Sequence, residues 1–400
     1  MRIAMFLDTD FPPDSRVENE AVSLIKKGHE VFLFSLSYKP FKNKDEVVNG
    51  IHVFRYSGSK LLYKLSALVY TFPFFSNLVK PKLKDFISLV KPDTLHVHDM
   101  PLAESVMHLN KQFGLPLTLD LHEDRPEIMK FYPHLNKLPG KLLISPKKWA
   151  KKQVELMKKA DKVILVTKEA KGKFSTTYPQ LMKKITVVPN TINPQIFLQY
   201  SIDNELVDRY TKHSVILYLG DTGLRRGTDT AIKAMPYVLK EVPDAKLVLV
   251  GKNSEDSILK KIVQELNLED NVFFEGWQDV SLFPSYIKAS SVCISPIKRN
   301  PHHDTTYANK IFQYMAMGKP QVVSDCPAQQ HVIEAEHCGL VHIAEDEKDL
   351  ANKLIEVLSN PDLANRMGEN AKGASQERWN WDVTSIELIN HYDSFAQFKS

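Results

Sequence analysis

Short aliphatic and β-branched runs alternate with amphipathic stretches along almost the whole chain, and this alternation constrains the fold more than any other feature. Ile3–Leu7 reads as a buried strand. The loop Asp8–Ser15 follows, then a helix whose inner face carries Val17, Ala21, Leu24 and Ile25 and which Gly28 ends. Val31–Phe34 is the next strand. A strand, a helix and a strand within about thirty residues make a parallel crossover. Leu95–His98, Leu117–Asp120, Val163–Val166 and Thr186–Val188 continue the series, and Asn190–Pro194 is turn chemistry at its edge. A second series then begins: Ser214–Leu219 (strand), Thr228–Leu239 (helix), Lys246–Val250 (strand), Ser254–Leu266 (helix), Val272–Phe274 and Val292–Ser295 (strands). Four hundred residues exceed one ordinary core. The expectation is an α/β chain of two doubly wound Rossmann-like domains, residues 1–195 and 196–378, with a helical segment at 379–400.

Composition narrows the setting. The apolar fraction of 43% and charged fraction of 25% suit a soluble globular protein. No run of eighteen uncharged apolar residues occurs, as a spanning helix would need. The stretch MRIAMFLDTDFPP reads as strand and loop, not as a signal peptide. Cys293, Cys326 and Cys338 form neither a disulfide framework nor a zinc spacing, which fits a reducing cytoplasm. The net charge of +4 hides an asymmetry: residues 1–200 hold 31 Lys/Arg and 19 Asp/Glu, leaving 21 and 29 for the remainder. A basic first half suits an anionic partner such as a membrane surface or a phosphorylated acceptor, or simply a Lys-rich solvated surface. No nucleic-acid partner is expected.

Several stretches carry candidate chemistry. In Tyr307–Asp325 a helix with Ile311, Phe312, Met315 and Ala316 on one face runs into a β-branched strand, with Gly318 as its stop. Asn309 and Lys310 stand at its start, where free N–H groups and a point charge favour an anion. An ordinary core helix with a capping Asn is the alternative. Gly220-Asp221-Thr222-Gly223-Leu224-Arg225-Arg226-Gly227 directly follows a strand, so glycine backbone and arginine charge coincide at a strand end. Asp120, His122, Glu123, Asp124 and Arg125 crowd the end of another strand, and His98 and Asp99 end the one before it. Asp14, Ser15 and Arg16 open the first helix. Arg16 either grips an anionic acceptor group or pairs with Glu20 four residues on. His302, His303 and Asp304 lack the spacing of a metal site. Lys60–Lys91 is an apolar stretch with lysine flanks, read equally as a membrane-interface segment and as core helix with a charged exit. The lysine-rich run Lys137–Lys173 would extend the same surface.

The wording of the 307–325 stretch, Asn309-Lys310-x-Phe312-x-Tyr314-Met315-Ala316-x-Gly318-x-Pro320, resembles the nucleotide-sugar helix of retaining glycosyltransferases of family 4, enzymes of GT-B architecture in which two Rossmann-like domains face each other across a cleft. Gly220, Arg226 and Gly227 match that family's diphosphate loop, although Asp221 stands where many members have a basic residue. Gly251, followed by Lys252, resembles the strand-end glycine beside the donor. Gly276-Trp277 resembles the turn whose backbone faces the base, with core packing as the alternative for Trp277. His122 matches the histidine of an Asp-x-His motif that approaches the donor sugar. The family usually has two glutamates eight positions apart. Here Thr305 and Gln313 hold those places, with Asp304 adjacent as a substitute carboxylate and Thr306 beside it.

The resemblance implies a metal-independent, retaining sugar transfer from a nucleotide diphosphate donor, UDP-sugar before GDP-sugar. The acceptor implied is a glycan, glycolipid or lipid-linked molecule. Gly220, Gly223, Leu224, Arg225 and Arg226 would hold the donor together with Asn309, Lys310 and Gln313. Arg226 and Lys310 would stabilise the leaving diphosphate. Asp14, Ser15, Arg16, Glu20, His98, Asp99, Glu123, Asp124 and Arg125 would line the acceptor side. The closing helix should return to the first domain. No cofactor beyond the donor is implied. A non-catalytic sugar-nucleotide-binding subunit and a nucleotide-sugar epimerase are the competing readings.

Overall fold

The computed structural model describes residues 1–132, 135, 137, 138 and 140–396, so the last four residues of the expected closing helix lie outside the described residues. The chain forms two compact units, Met1–Pro189 with Ser385–Ser400, and Asn190–Thr384.

The first unit is built on eight strands: β1 (Arg2–Leu7), β2 (Glu30–Ser37), β3 (Asp45–Val48), β4 (Ile51–Ser57), β5 (Thr94–His98), β6 (Leu117–Leu121), β7 (Lys162–Leu165) and β8 (Ile185–Val187). Their order is β3-β4-β2-β1-β5-β6-β7-β8. All pairs are parallel except β3 with β4. That hairpin turns on Asn49-Gly50, both at positive φ, a strong hairpin signal that the periodicity reading passed over. Phe6, Phe34 and Phe86 fill the core beneath the sheet. The helix Trp381–Ala396 belongs to this unit from Ser385 onward, and its Tyr392 is fully buried.

The stretch Lys60–Lys91 is not one amphipathic helix but two, Lys60–Ser66 and Phe74–Val90. Leu62, Val69 and Phe75 enter the core while Leu61, Phe72 and Phe74 are exposed, so the stretch is only partly core helix.

The second unit carries β9 (Ser214–Leu219), β10 (Ala245–Val250), β11 (Val272–Gly276), β12 (Val292–Ser295), β13 (Gln321–Ser324) and β14 (Gly339–His342). The order is β11-β10-β9-β12-β13-β14, all parallel. The strand order reverses between β9 and β12, the place where open α/β sheets gather ligands. These two strands pair only through Ile216–Val292 and Leu217–Cys293, then part. Tyr314 spans the gap: its hydroxyl accepts from the Leu219 N–H at 3.0 Å and faces the Ile294 carbonyl at 3.5 Å.

Tyr314 sits on the helix Lys310–Ala316, whose Ile311, Phe312 and Met315 are buried as their spacing predicts. Gly318 at φ +65° ends it, with the Gly318 and Lys319 N–H groups capping the Met315 and Tyr314 carbonyls.

Tyr314→Phe leaves the Leu219 N–H buried without its acceptor, at a cost of about 1–3 kcal/mol. The expected result is a lower calorimetric transition for the second unit with the first unit's transition unchanged. An unaltered pair of transitions would contradict the bridging role.

Candidate active site

The loop after β9 and the helix start at Lys310 meet at the switch point of the second unit. The glycines make this approach feasible. At Gly227 (φ +72°) a Cβ would lie 1.7 Å from the Pro296 carbonyl oxygen, and at Gly251 (φ +150°) 1.8 Å from that of Gly220. The loop therefore packs directly on the ends of β10 and β12, as only glycine allows. The Lys310 ammonium lies over the Tyr218 ring at 3.5 Å from its centroid, and a Cβ on Gly220 would be 3.7 Å from it. The Tyr218 hydroxyl donates to the Asp221 carbonyl at 2.6 Å, which fixes the ring.

Two arginines meet one carboxylate here, with Lys310 close by. Asp221 is 3.3 Å from Arg225 and 3.7 Å from Arg226. It also accepts from Asn253 at 2.5 Å and from the Gly223 N–H at 3.2 Å. Burial alone would raise its pKa, but these hydrogen bonds and the two arginines lower it. Burial, with Arg226 and Arg225 adding to it against the pull of Asp221, pushes the Lys310 ammonium well below its usual range. The Arg226 Nε is buried with no hydrogen-bond partner among the described residues. Such a site is short of negative charge. An entering anion would favour the charged form of Lys310 and give the Arg226 Nε a partner.

The other expected donor residues distribute unevenly. The Gly223 and Leu224 N–H groups already donate to Asp221 and, at 2.8 Å, to Glu255, so charge in this loop comes from side chains more than from open backbone. The helix Lys310–Ala316 has only seven residues, and Asn309 is exposed without a side-chain cap, so Lys310 itself rather than a helix dipole supplies the charge. Gln313 is half-buried, and its amide makes no hydrogen bond among the described residues. Trp277 is 72% exposed beside Gly276, which removes the core-packing alternative, and Lys252 is exposed. Asp304 is gripped by Arg299 through two bonds of 2.7 and 2.9 Å, so it is not the free carboxylate expected of it. Thr305 donates to the Pro301 carbonyl within its own turn, and Thr306 is half-buried next to it. His303 is lowered to about 4, chiefly by burial, and adds no charge.

In the first unit the ends of β1, β5 and β6 hold the reverse: a surplus of carboxylates around few cations. Arg16 is buried, lies 2.9 Å from Glu20 as an ion pair, and donates to Asp120 at 3.0 Å and to the Val188 carbonyl at 3.2 Å. The pairing with Glu20 four residues on is present. Asp14 caps the helix through the Val17 N–H, and Ser15 is exposed. His122 lies 3.0 Å from Asp120 and 3.1 Å from His98, and its backbone N–H donates to Asp99. Burial lowers the His122 pKa, but Asp120 and then Asp99 outweigh it and push the imidazole up to about 10. His122 is thus an imidazolium at neutral pH. Glu123 pairs with Arg125 and Asp124 with Lys173, which leaves none of these as an isolated charge.

Asp8, His96 and Tyr392 join this cluster without a short-range signal in the sequence. Burial, first of all, raises Asp8 to about 6. Tyr392, from the closing helix, meets His96 Nδ1 at 2.5 Å. Glu20, His96, His98 and Asp120 bring one ligand-type atom each within 4.8 Å of one another, a set that could hold a metal ion. The Arg16 guanidinium, however, already pairs with both carboxylates, so the protein supplies its own counter-charge there.

Known proteins share this two-domain fold. Residues 203–374 match the glycosyl transferases group 1 model and residues 15–196 the glycosyltransferase family 4 model. Together these matches span both units, and the chain belongs to the family 4 glycosyltransferases of GT-B fold. An uncharacterised glycosyltransferase of Methanocaldococcus jannaschii is 24% identical over 98% of each chain. The phosphatidyl-myo-inositol mannosyltransferase of Mycolicibacterium smegmatis is 22% identical over 99% of this chain and 94% of its own. Sucrose-phosphate synthase from Thermosynechococcus elongatus shares the fold with a TM-score of 0.76 at 19% identity, covering 99% of each chain. Anabaena HepE, solved in complex with UDP, does so with 0.70 at 14% identity over 98% of this chain and 100% of its own.

The His122 shift has a signed consequence. Its folded-state pKa of about 10 lies above the ordinary 6.5, so its stabilisation is full below 6.5 and fades as pH rises towards 10. Glu20, raised to about 8 chiefly by burial, acts in the same direction from its ordinary 4.5 upward. Thermal stability should therefore fall between pH 6.5 and 10, and His122→Gln should flatten that fall. Identical pH profiles for the two proteins would contradict the Asp120–His122 pairing.

Proposed function

We propose that this glycosyltransferase moves a hexosyl or N-acetylhexosaminyl unit from a nucleotide diphosphate sugar to a glycan, glycolipid or lipid-linked acceptor, with retention of configuration. The observation that carries the reading is the basic switch point, where Arg225 and Arg226 pair with Asp221 and the Lys310 side chain lies close by over the Tyr218 ring. A diphosphate leaving group supplies the missing negative charge. Its charge grows as the glycosidic bond to the sugar breaks, so contacts made there favour the transition state over the ground state. Arg226 and Lys310 are assigned that stabilisation, and the transfer proposed is metal-independent.

Within this reading Gln313 takes the ribose hydroxyls, the exposed Trp277 flanks the base, and His122, as an imidazolium, is assigned to the transferred sugar. Relatives named as GDP-mannose-dependent mannosyltransferases support a nucleotide-sugar donor, as does a structural neighbour solved with UDP, and both UDP- and GDP-sugars are candidate donors. The proposed location is the cytoplasmic face of a membrane. Among the described residues no helix is long and apolar enough to cross one.

A non-catalytic sugar-nucleotide-binding subunit is the second reading, favoured by one observation: Arg299 occupies Asp304, and Thr305 closes its own turn, so the region of the usual sugar-side carboxylate offers no free one.

Arg226→Ala and Lys310→Ala should each lower kcat by about two to three decades, roughly 2.7–4 kcal/mol of transition-state stabilisation, with a smaller rise in KM. Gln313→Ala should mainly raise KM. Turnover of UDP- and GDP-sugars, followed by nucleotide diphosphate release in excess chelator, checks all three. Near-normal kcat in both charge variants would remove the site assignment. Nucleotide binding without turnover of any donor would favour the second reading.

A further inference from the structure

Two segments of the first unit form a basic, apolar-tipped face that the transfer chemistry does not use. Residues 60–84 contain five lysines and residues 128–154 seven, and neither stretch has an Asp or Glu. In the fold they adjoin. The Thr71 hydroxyl donates to the Leu143 carbonyl at 2.8 Å, and the Tyr70 and Trp149 rings meet edge-on with centroids 4.7 Å apart. Two of the twelve lysines are engaged by flanking acids, Lys130 by Glu127 and Lys152 by Glu104. Lys60, Lys64, Lys84, Lys137 and Lys141 are exposed.

Large apolar side chains project from the same segments instead of turning into the core: Leu61 (65% exposed), Phe74 (56%), Leu78 (55%), Leu138 (72%) and Leu142 (78%). Phe74 and Leu78, four residues apart on one helix, share a face, and Phe72 stacks on Phe74. A soluble surface of lysines alone would gain nothing from these tips. A lipid interface solvates both, taking the apolar tips among the acyl chains and the lysines at the headgroups.

We infer that the first unit docks on an anionic lipid bilayer through this composite face, with Phe72, Phe74, Leu78, Leu138 and Leu142 entering the interface. The inference gives physical form to the membrane location proposed above and is independent of whether the transfer chemistry is correct. Charge complementarity selects an anionic lipid surface, and the exposed apolar tips select a bilayer over a soluble polyanion.

The test is co-sedimentation of the full chain with vesicles of phosphatidylcholine alone or mixed with phosphatidylglycerol. Binding is expected on the anionic vesicles, weakening with salt. Lys137→Gln and Lys141→Gln should each weaken it roughly fivefold. Phe74→Asp with Leu142→Asp, both at exposed positions, should weaken it by about tenfold or more. Circular dichroism confirms that each variant is folded. No binding, or equal binding to neutral vesicles, overturns the inference. So does binding that heparin abolishes and the aspartate pair leaves intact, since that describes a surface for soluble polyanions. Turnover of a nucleotide sugar by a protein that ignores vesicles would leave the transfer reading standing and remove this one.

Discussion

The second unit depends on an imbalance of charge held in place by backbone packing. Arg225 and Arg226 meet Asp221 beside Lys310 because Gly227 lets the loop after β9 press against the Pro296 carbonyl, and Gly251, after β10, lets that strand end press against the loop's own Gly220 carbonyl. A side chain at either position would push the loop away and disperse the cations. Like charges brought this close, in a half-buried place, cost free energy, and the protein meets part of that cost by weakening the charge on Lys310. The arrangement persists because Tyr314 ties the helix behind Lys310 to the parting ends of β9 and β12. The residue that carries charge and the residue that anchors the helix are one turn apart, so folding and anion recognition use the same seven-residue element.

The first unit shows the complementary solution. There Glu20, Asp99 and Asp120 crowd around Arg16, and protons make up the difference, above all the one that Asp120 and Asp99 hold on His122. Burial raises Glu20, whereas Arg16 and then His122 overcome burial to keep Asp120 well below the usual carboxylate range. The network reaches Tyr392 through His96, so the last helix of the chain contributes directly to the ordering of this site.

Much of this was legible in the sequence because it is local. The strand–helix alternation, the Gly318 stop, the strand-end position of Gly220–Gly227 and the Asp120-x-His122 pair each follow from residues within a few positions of one another. What escaped is what distance in sequence conceals. The Arg299 grip on Asp304 depends on a side-chain rotamer within an irregular loop. The pairing of Leu224 with Glu255 joins two loops 31 positions apart, and that of His96 with Tyr392 spans 296. The β3–β4 hairpin is a different case: its Asn49-Gly50 turn was readable by turn chemistry, but its strands are half-exposed and give no buried run. The split of Lys60–Lys91 into core and surface helices likewise needed the loop that separates them.

The central claim is that the switch point of the second unit lacks one anion, and the state of Lys310 tests it most directly. In the free protein burial and the neighbouring arginines favour loss of its proton; a diphosphate reverses that balance. Calorimetric titration with UDP in buffers of different ionisation enthalpy measures the protons exchanged on binding. Net proton uptake that grows from neutral to alkaline pH and disappears in Lys310→Ala is the predicted result. Binding of UDP with no proton uptake, or with the same uptake in Lys310→Ala, would contradict it.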